Sequence, residues 1–161
     1  MKSSHPILLA SASPRRRELL AQLVENFEVA ATDIDEALVE GESPGDYVLR
    51  LSRAKALAGY SQSGGRLPVL GSDTIVLLDD EILCKPESRM EAESMLGRLS
   101  GRTHEVYSGV ALVLDSETIL EEINITSVTF AEMPSAWITM YCRTDEPMDK
   151  AGAYAVQGGT G

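Results

Sequence analysis

A short apolar run that feeds directly into a capped helix sets the fold class of this chain. Residues 7–10, Ile-Leu-Leu-Ala, have the composition of a buried strand. Ser13 then stands at an N-cap position and Pro14 at the first helical position, which predicts a helix continuing through Leu19, Leu20 and Leu23. A strand that turns at once into a helix is an α/β unit, and α/β proteins place ligands at the mouth of such turns. This turn carries Ser11, Ser13, Arg15, Arg16 and Arg17. Hydroxyls, N–H groups at a helix start and guanidinium forks all donate hydrogen bonds, and the helix dipole adds partial positive charge at the same point. Three cations at a helix N-terminus oppose that dipole, a cost that a bound anion removes; a solvated helix start is the alternative.

Composition narrows the partners. At 161 residues, 43% of them hydrophobic, the chain has material for one domain with a full core, divisible into two lobes by a cleft. The formal net charge of −11 argues against a nucleic-acid polymer, whose phosphates call for a broad excess of Lys and Arg. An arginine cluster inside so acidic a chain is therefore the more telling. Cys84 and Cys142 lack CxxC or Cys/His spacing, so they read as free thiols of a reducing cytosol, with no zinc site and no disulfide. No apolar run approaches transmembrane length and residues 7–10 are too short for a signal-peptide core, so a cytoplasmic protein without a membrane partner is expected. The glycine-rich end, residues 156–161, is of the kind that leads into another element, and predicts that a C-terminal portion follows it.

Further along, residues 27–31 read as a strand and are followed by Asp33, Asp35 and Glu36. Such an acidic loop is first a solvated turn and second a source of metal ligands. Ser43 and Pro44 start a helix whose buried stripe is read as Tyr47, Leu51, Ala54 and Ala58, with Lys55 at its border, pointing into a cleft or snorkelling to solvent. Residues 69–78 read as an apolar strand pair interrupted by Gly71-Ser72-Asp73-Thr74. An aspartate between Leu70 and Ile75 is costly to bury unless it meets a cation, accepts several hydrogen bonds or does proton chemistry. Asp79-Asp80 makes a hairpin turn that returns the chain to Lys85, expected on the same edge as Asp73. Ser88 and Glu91 form a capping box for a helix with Ala92, Met95, Leu96 and Leu99 facing inward and an end at Ser100-Gly101. Residues 103–114 and 119–130 read as a long hairpin, with His104 as a surface residue. Pro134 opens a helix carrying Trp137, Ile138 and Tyr141. Residues 149–158 pack small and polar side chains suited to close approach of a ligand, and Gln157 can read a base edge through its amide.

Four of these stretches occur in an order that resembles one family: Ser11-Ala12-Ser13-Pro14-Arg15-Arg16, Gly71-Ser72-Asp73-Thr74, Lys85-Pro86 and Asp149-Lys150-Ala151-Gly152-Ala153-Tyr154. Together they resemble the Maf family of nucleotide pyrophosphatases over essentially the whole chain. The resemblance implies an α/β fold shared with inosine-triphosphate pyrophosphatases, a long mixed sheet with flanking helices and two lobes around an active-site cleft. It implies hydrolysis of a nucleoside triphosphate to the monophosphate and pyrophosphate. Arg15, Thr74 and Gln157 match the branch acting on dTTP and UTP, where the branch acting on 7-methyl-GTP carries Trp, Gln and Glu. By the same resemblance Ser11, Ser13, Arg16, Lys55 and Lys85 hold phosphates, Glu36 and Asp73 supply carboxylates to Mg2+ or Mn2+, and Asp73 orients or deprotonates the attacking water. Arg17 has no matched role. Family members continue past Gly-Gly-Thr-Gly with a further strand and helix. A non-catalytic nucleotide-binding regulator of septum formation or cell division is the other class; it would need no carboxylate beside a metal, and Glu36 with Asp73 disfavour it. No GxxxxGK[ST] loop is present for a phosphotransferase, and a homodimer is left open.

Overall fold

The computed structural model describes residues 1–155. Along them run β1 (Ile7–Leu9), α1 (Pro14–Leu20), β2 (Phe27–Val29), α2 (Pro44–Gln62), β3 (Val69–Leu78), β4 (Glu81–Leu83), α3 (Arg89–Leu99), β5 (Thr103–Val113), β6 (Ile119–Thr129) and α4 (Ser135–Tyr141). Two single 3-10 turns, Glu146–Asp149 and Ala151–Ala153, follow. Helix starts obey local chemistry. Ser13, Ser43 and Ser88 each accept a hydrogen bond from the N–H three residues on, at Arg16, Asp46 and Glu91, and proline opens α1 and α2.

The strands form one mixed sheet in the order β2-β1-β3-β5-β6, with β4 paired to β3. β1 is parallel to both neighbours, Leu8 standing opposite Glu28 and Val69. The hairpin between β3 and β4 turns at Asp79 and Asp80, both at positive φ (50° and 63°), as the primed two-residue turn requires. The α/β class and the mixed sheet are as the sequence predicted.

Several local readings are corrected. α1 stops at Leu20, and Leu19 and Leu23 are exposed while Leu20 and Val24 are buried, because the chain enters turns after Leu20. β3 is one continuous ten-residue strand, not a pair broken at Gly71. The buried face of α2 is Tyr47, Val48, Leu51, Ser52, Lys55, Ala56 and Gly59, so Lys55 lies within the stripe rather than at its border. His104 is buried too, its Nε2 2.6 Å from the Tyr154 hydroxyl and its ring edge-on to Phe130.

Two glycines let α2 lie flat on the strands beneath it. A Cβ at Gly71 in β3 would collide with the Ser52 carbonyl oxygen and stand 2.5 Å from the Ala56 nitrogen. One at Gly109 in β5 would stand 2.8 Å from Ser52 Oγ and 3.1 Å from the Val48 carbonyl oxygen. Backbone meets backbone here with no side chain between, which is why Gly71 sits inside an apolar strand.

The contacts divide into two units: Met1–Asp73 with Ser108–Asn124, and Thr74–Tyr107 with the chain from Ile125 onward. The first unit is built on Leu8, Ala10, Ala56, Val69, Ala111 and Val113, with a second cluster of Leu9, Leu20 and Val24 under α1. The second unit packs the inner face of α3, Ala92, Met95, Leu96 and Leu99, against Leu78, Leu83, Ile138 and Tyr141. That face of α3 is the one its spacing predicts.

Candidate active site

In the first unit, three charged side chains from three different segments meet. β3 contributes Asp73, which alternation puts on the same face as Val69 and Gly71, the face that α2 covers. α2 contributes Lys55. The segment between β2 and α2, which forms neither helix nor strand, contributes Glu36. Lys55 Nζ lies 2.6 Å from Asp73 Oδ1 and 2.9 Å from Glu36 Oε1. Lys55 and Asp73 are each only 8% exposed, so the charges compensate one another where water cannot.

Arg16 completes the electrostatics. Its backbone N–H caps onto Ser13 Oγ at 3.4 Å and its Nη1 reaches Ser11 Oγ at 3.5 Å. Burial pulls its guanidinium pKa below the ordinary value, while the negative charges of Asp73 and Glu36 pull it back up. Two cations and two carboxylates therefore share one neighbourhood. Ser11 Oγ also accepts the Ser13 N–H at 3.1 Å. A groove of about 890 Å³ runs past Ser11 and Ser13 and is otherwise lined by residues such as Arg17, Asn26 and Phe27; Glu36, Lys55 and Asp73 are not among its walls.

The donor set suits one kind of cation. Among the described residues no group of three or more His, Cys, Asp or Glu is placed to hold a metal ion. Glu36 and Asp73 converge through their common contact with Lys55. Two carboxylates fit an ion such as Mg2+ that keeps waters and takes phosphate oxygens for the rest of its shell, and do not fit the closed cages of zinc or calcium.

The chain matches the model of the Maf-like proteins over residues 6–161. It belongs to that family. Among the relatives of this Maf-like chain, the Escherichia coli K12 dTTP/UTP pyrophosphatase is 51% identical over 152 residues, 94% of this chain and 77% of the relative. The Shigella flexneri nucleoside triphosphate pyrophosphatase is 49% identical over the same shares. The fold recurs in a HAM1 protein from Coxiella burnetii, with a TM-score of 0.53 at 19% identity, covering 81% of this chain and 75% of that one. A dITP/XTP pyrophosphatase from Mycobacterium abscessus gives a TM-score of 0.51 at 19% identity, covering 80% and 76%.

Of the residues that the Maf resemblance singled out, Glu36, Lys55 and Asp73 are in contact, with Ser11, Ser13 and Arg16 in the same unit. Glu36 remains exposed on its loop while its carboxylate reaches Lys55, and Lys55 is buried rather than snorkelling to solvent. Arg15 is exposed and pairs with Glu18 at 3.4 Å. Thr74 follows Asp73 in β3 and takes the opposite face. Lys85 is exposed and lies two residues beyond the last β3–β4 pair, Val76 with Leu83, so the ladder does not extend to it. Gln157 lies outside the described residues. Sequence reading missed Tyr47 and Arg50, which hold the Glu36 segment; Tyr47 read as core, and nothing in its spacing announced a polar task.

Proposed function

We propose that this chain hydrolyses dTTP and UTP to the nucleoside monophosphate and pyrophosphate, in the cytoplasm where both the triphosphates and Mg2+ are found. The observation that carries this reading is the meeting of Glu36 and Asp73 on Lys55, in the unit that also holds Arg16. The names of the relatives at about half identity support the substrate.

In the reaction a water oxygen attacks the α-phosphorus, the bond from that phosphorus to the oxygen bridging to the β-phosphate breaks, and pyrophosphate leaves with the bridging oxygen. Negative charge grows on the leaving group, and fixed cations stabilise it most in the transition state. Arg16 and Lys55 are assigned to that clamp, with Lys85 as a further phosphate ligand. Ser11 and Ser13 contribute differently. Each Oγ already accepts a backbone N–H, so its own O–H proton is left to donate to a phosphate oxygen. Asp73 orients the water and takes its proton; Lys55 occupies Oδ1, and Oδ2 is the atom assigned to that proton. Glu36 and Asp73 would hold Mg2+ or Mn2+, which when bound neutralises phosphate charge. Arg15, Thr74 and Gln157 are assigned to selection of the base, and the long contact of Arg15 with Glu18 leaves it easily recruited.

The deciding experiment is a panel of nucleoside triphosphates with Mg2+ or Mn2+, scored for pyrophosphate against orthophosphate. Pyrophosphate from dTTP and UTP ahead of the purine nucleotides is expected. Orthophosphate as the sole product would overturn the reading.

A further inference from the structure

Glu36 is the one member of the contacting trio that no helix or strand carries. β2 ends at Val29 and α2 begins at Pro44, and the backbone between them is irregular apart from a turn at Glu40 and Gly41. A long side chain on such a segment, 44% exposed, meets Lys55 reproducibly only if something fixes its backbone.

α2 supplies the fixing groups. The Tyr47 hydroxyl donates to the Glu36 carbonyl oxygen at 2.7 Å, and Tyr47 itself is 3% exposed. Arg50 Nη2 donates to the next carbonyl, that of Ala37, at 3.0 Å. The same guanidinium forms a two-bond fork with Glu42, Nε to Oε1 at 2.7 Å and Nη2 to Oε2 at 2.9 Å. That fork holds the Glu42 carboxyl below its usual pKa range and gives Arg50 a fixed orientation. The guanidinium also lies 5.4 Å from the centre of the Tyr47 ring. From within the segment, Asp35 Oδ1 accepts the Ala37 N–H at 2.9 Å. Tyr47 and Arg50, three residues apart, are neighbours on α2, and Lys55 follows eight residues after Tyr47 in the same helix, so a single rigid helix grips two consecutive carbonyls and the carboxylate of Glu36.

We propose that Tyr47 and Arg50 are positioning residues for Glu36: they fix two consecutive backbone carbonyls so that its carboxylate is delivered to Lys55 and Asp73. The proposal rests on the hydrolytic reading for its consequence in turnover, but the grip itself does not depend on that reading. Neither residue touches substrate in this account; each acts through Glu36.

A double-mutant cycle tests it, with dTTP as substrate and pyrophosphate as readout, using Glu36→Gln, the pair Tyr47→Phe with Arg50→Gln, and all three together. Losing the two holds is expected to lower kcat by roughly tenfold, at about fivefold per lost hydrogen bond less partial compensation. KM for dTTP should change less than kcat. Glu36→Gln should then cost several-fold less in the Tyr47→Phe, Arg50→Gln background than in the parent, because the carboxylate it removes is already displaced. Arg50→Lys, which can still reach one carbonyl, should recover part of the loss. Equal cost of Glu36→Gln in both backgrounds would overturn the proposal. A second readout needs no turnover: amide exchange at residues 35–42 should accelerate in Arg50→Gln without nucleotide or metal, and unchanged exchange would overturn the grip. If the parent released no pyrophosphate, the hydrolytic reading would fall while the exchange measurement still judged the grip.

Discussion

Asp73 carries the sharpest expectation at the scale of single residues. Asp73→Asn keeps the shape but loses the carboxylate, so pyrophosphate release from dTTP should fall by about 100-fold or more in a coupled assay. Near-parental turnover would remove Asp73 from the chemistry. A different residue contributes to the pH dependence of stability just below neutrality. His104 is enclosed by Phe130 and Tyr154, burial lowers its pKa below the ordinary 6.5, and its Nδ1 is buried without a hydrogen-bond partner among the described residues. Burial likewise pushes the Tyr154 phenol up to about 12, so that partner stays neutral. With the folded pKa lowered, the unfolded chain binds the extra proton first. Stability is therefore undiminished above about pH 6.5 and is lost as pH falls from there through the folded value. Thermal melts of the parent and His104→Gln should converge or cross as pH is lowered from 7 to 5, since the glutamine has no such proton to take up. Parallel pH profiles would exclude His104 as the cause.

At the scale of elements, the grip between α2 and the strands is the part most open to manipulation. Gly71→Ala should destabilise the protein by about 1–3 kcal/mol, because the colliding neighbour is backbone and cannot rotate away. It should also reduce turnover beyond the loss of folded protein, since raising α2 moves Lys55 relative to Asp73; kcat per folded molecule checks this. The same element shows what the sequence could and could not tell. The caps at Ser13, Ser43 and Ser88 were legible because a cap is decided within four residues. The buried face of α3 was legible because its apolar spacing is unambiguous. Lys55 was placed at the border of its stripe because a lysine is taken for solvent-facing until its partners are known, and Glu36 lies 19 residues and Asp73 18 residues away in sequence. Gly71-Ser72-Asp73-Thr74 looked like an interruption because glycine breaks strands locally. Its reason, the backbone of Ser52 pressed against it, is not local. His104 failed in the same way: one buried aromatic pocket assembled from residues 104, 130 and 154 leaves no mark near any one of them.

At the scale of the whole molecule, the family resemblance brought together residues that periodicity could not, because it links positions that are distant in sequence. Glu36 is the example: its loop reads as solvated acid, the resemblance makes it a metal ligand, and its carboxylate lies 2.9 Å from Lys55 Nζ. The way the chain is shared between the two units bears on its birth as well as its shape. The first unit is completed by Ser108–Asn124, which supplies Ala111 and Val113 to its core and Glu121 to Arg53, at 2.6 Å. A fragment ending at Asp73 should accordingly show no cooperative melt by circular dichroism, and a sharp one would contradict this division. On the ribosome, then, residues 74–107 of the second unit emerge before the first can close. The N-terminal segment, with Lys55 and Asp73 already made, must wait for residues 108–124, and until they arrive its apolar surface stays open to misassembly.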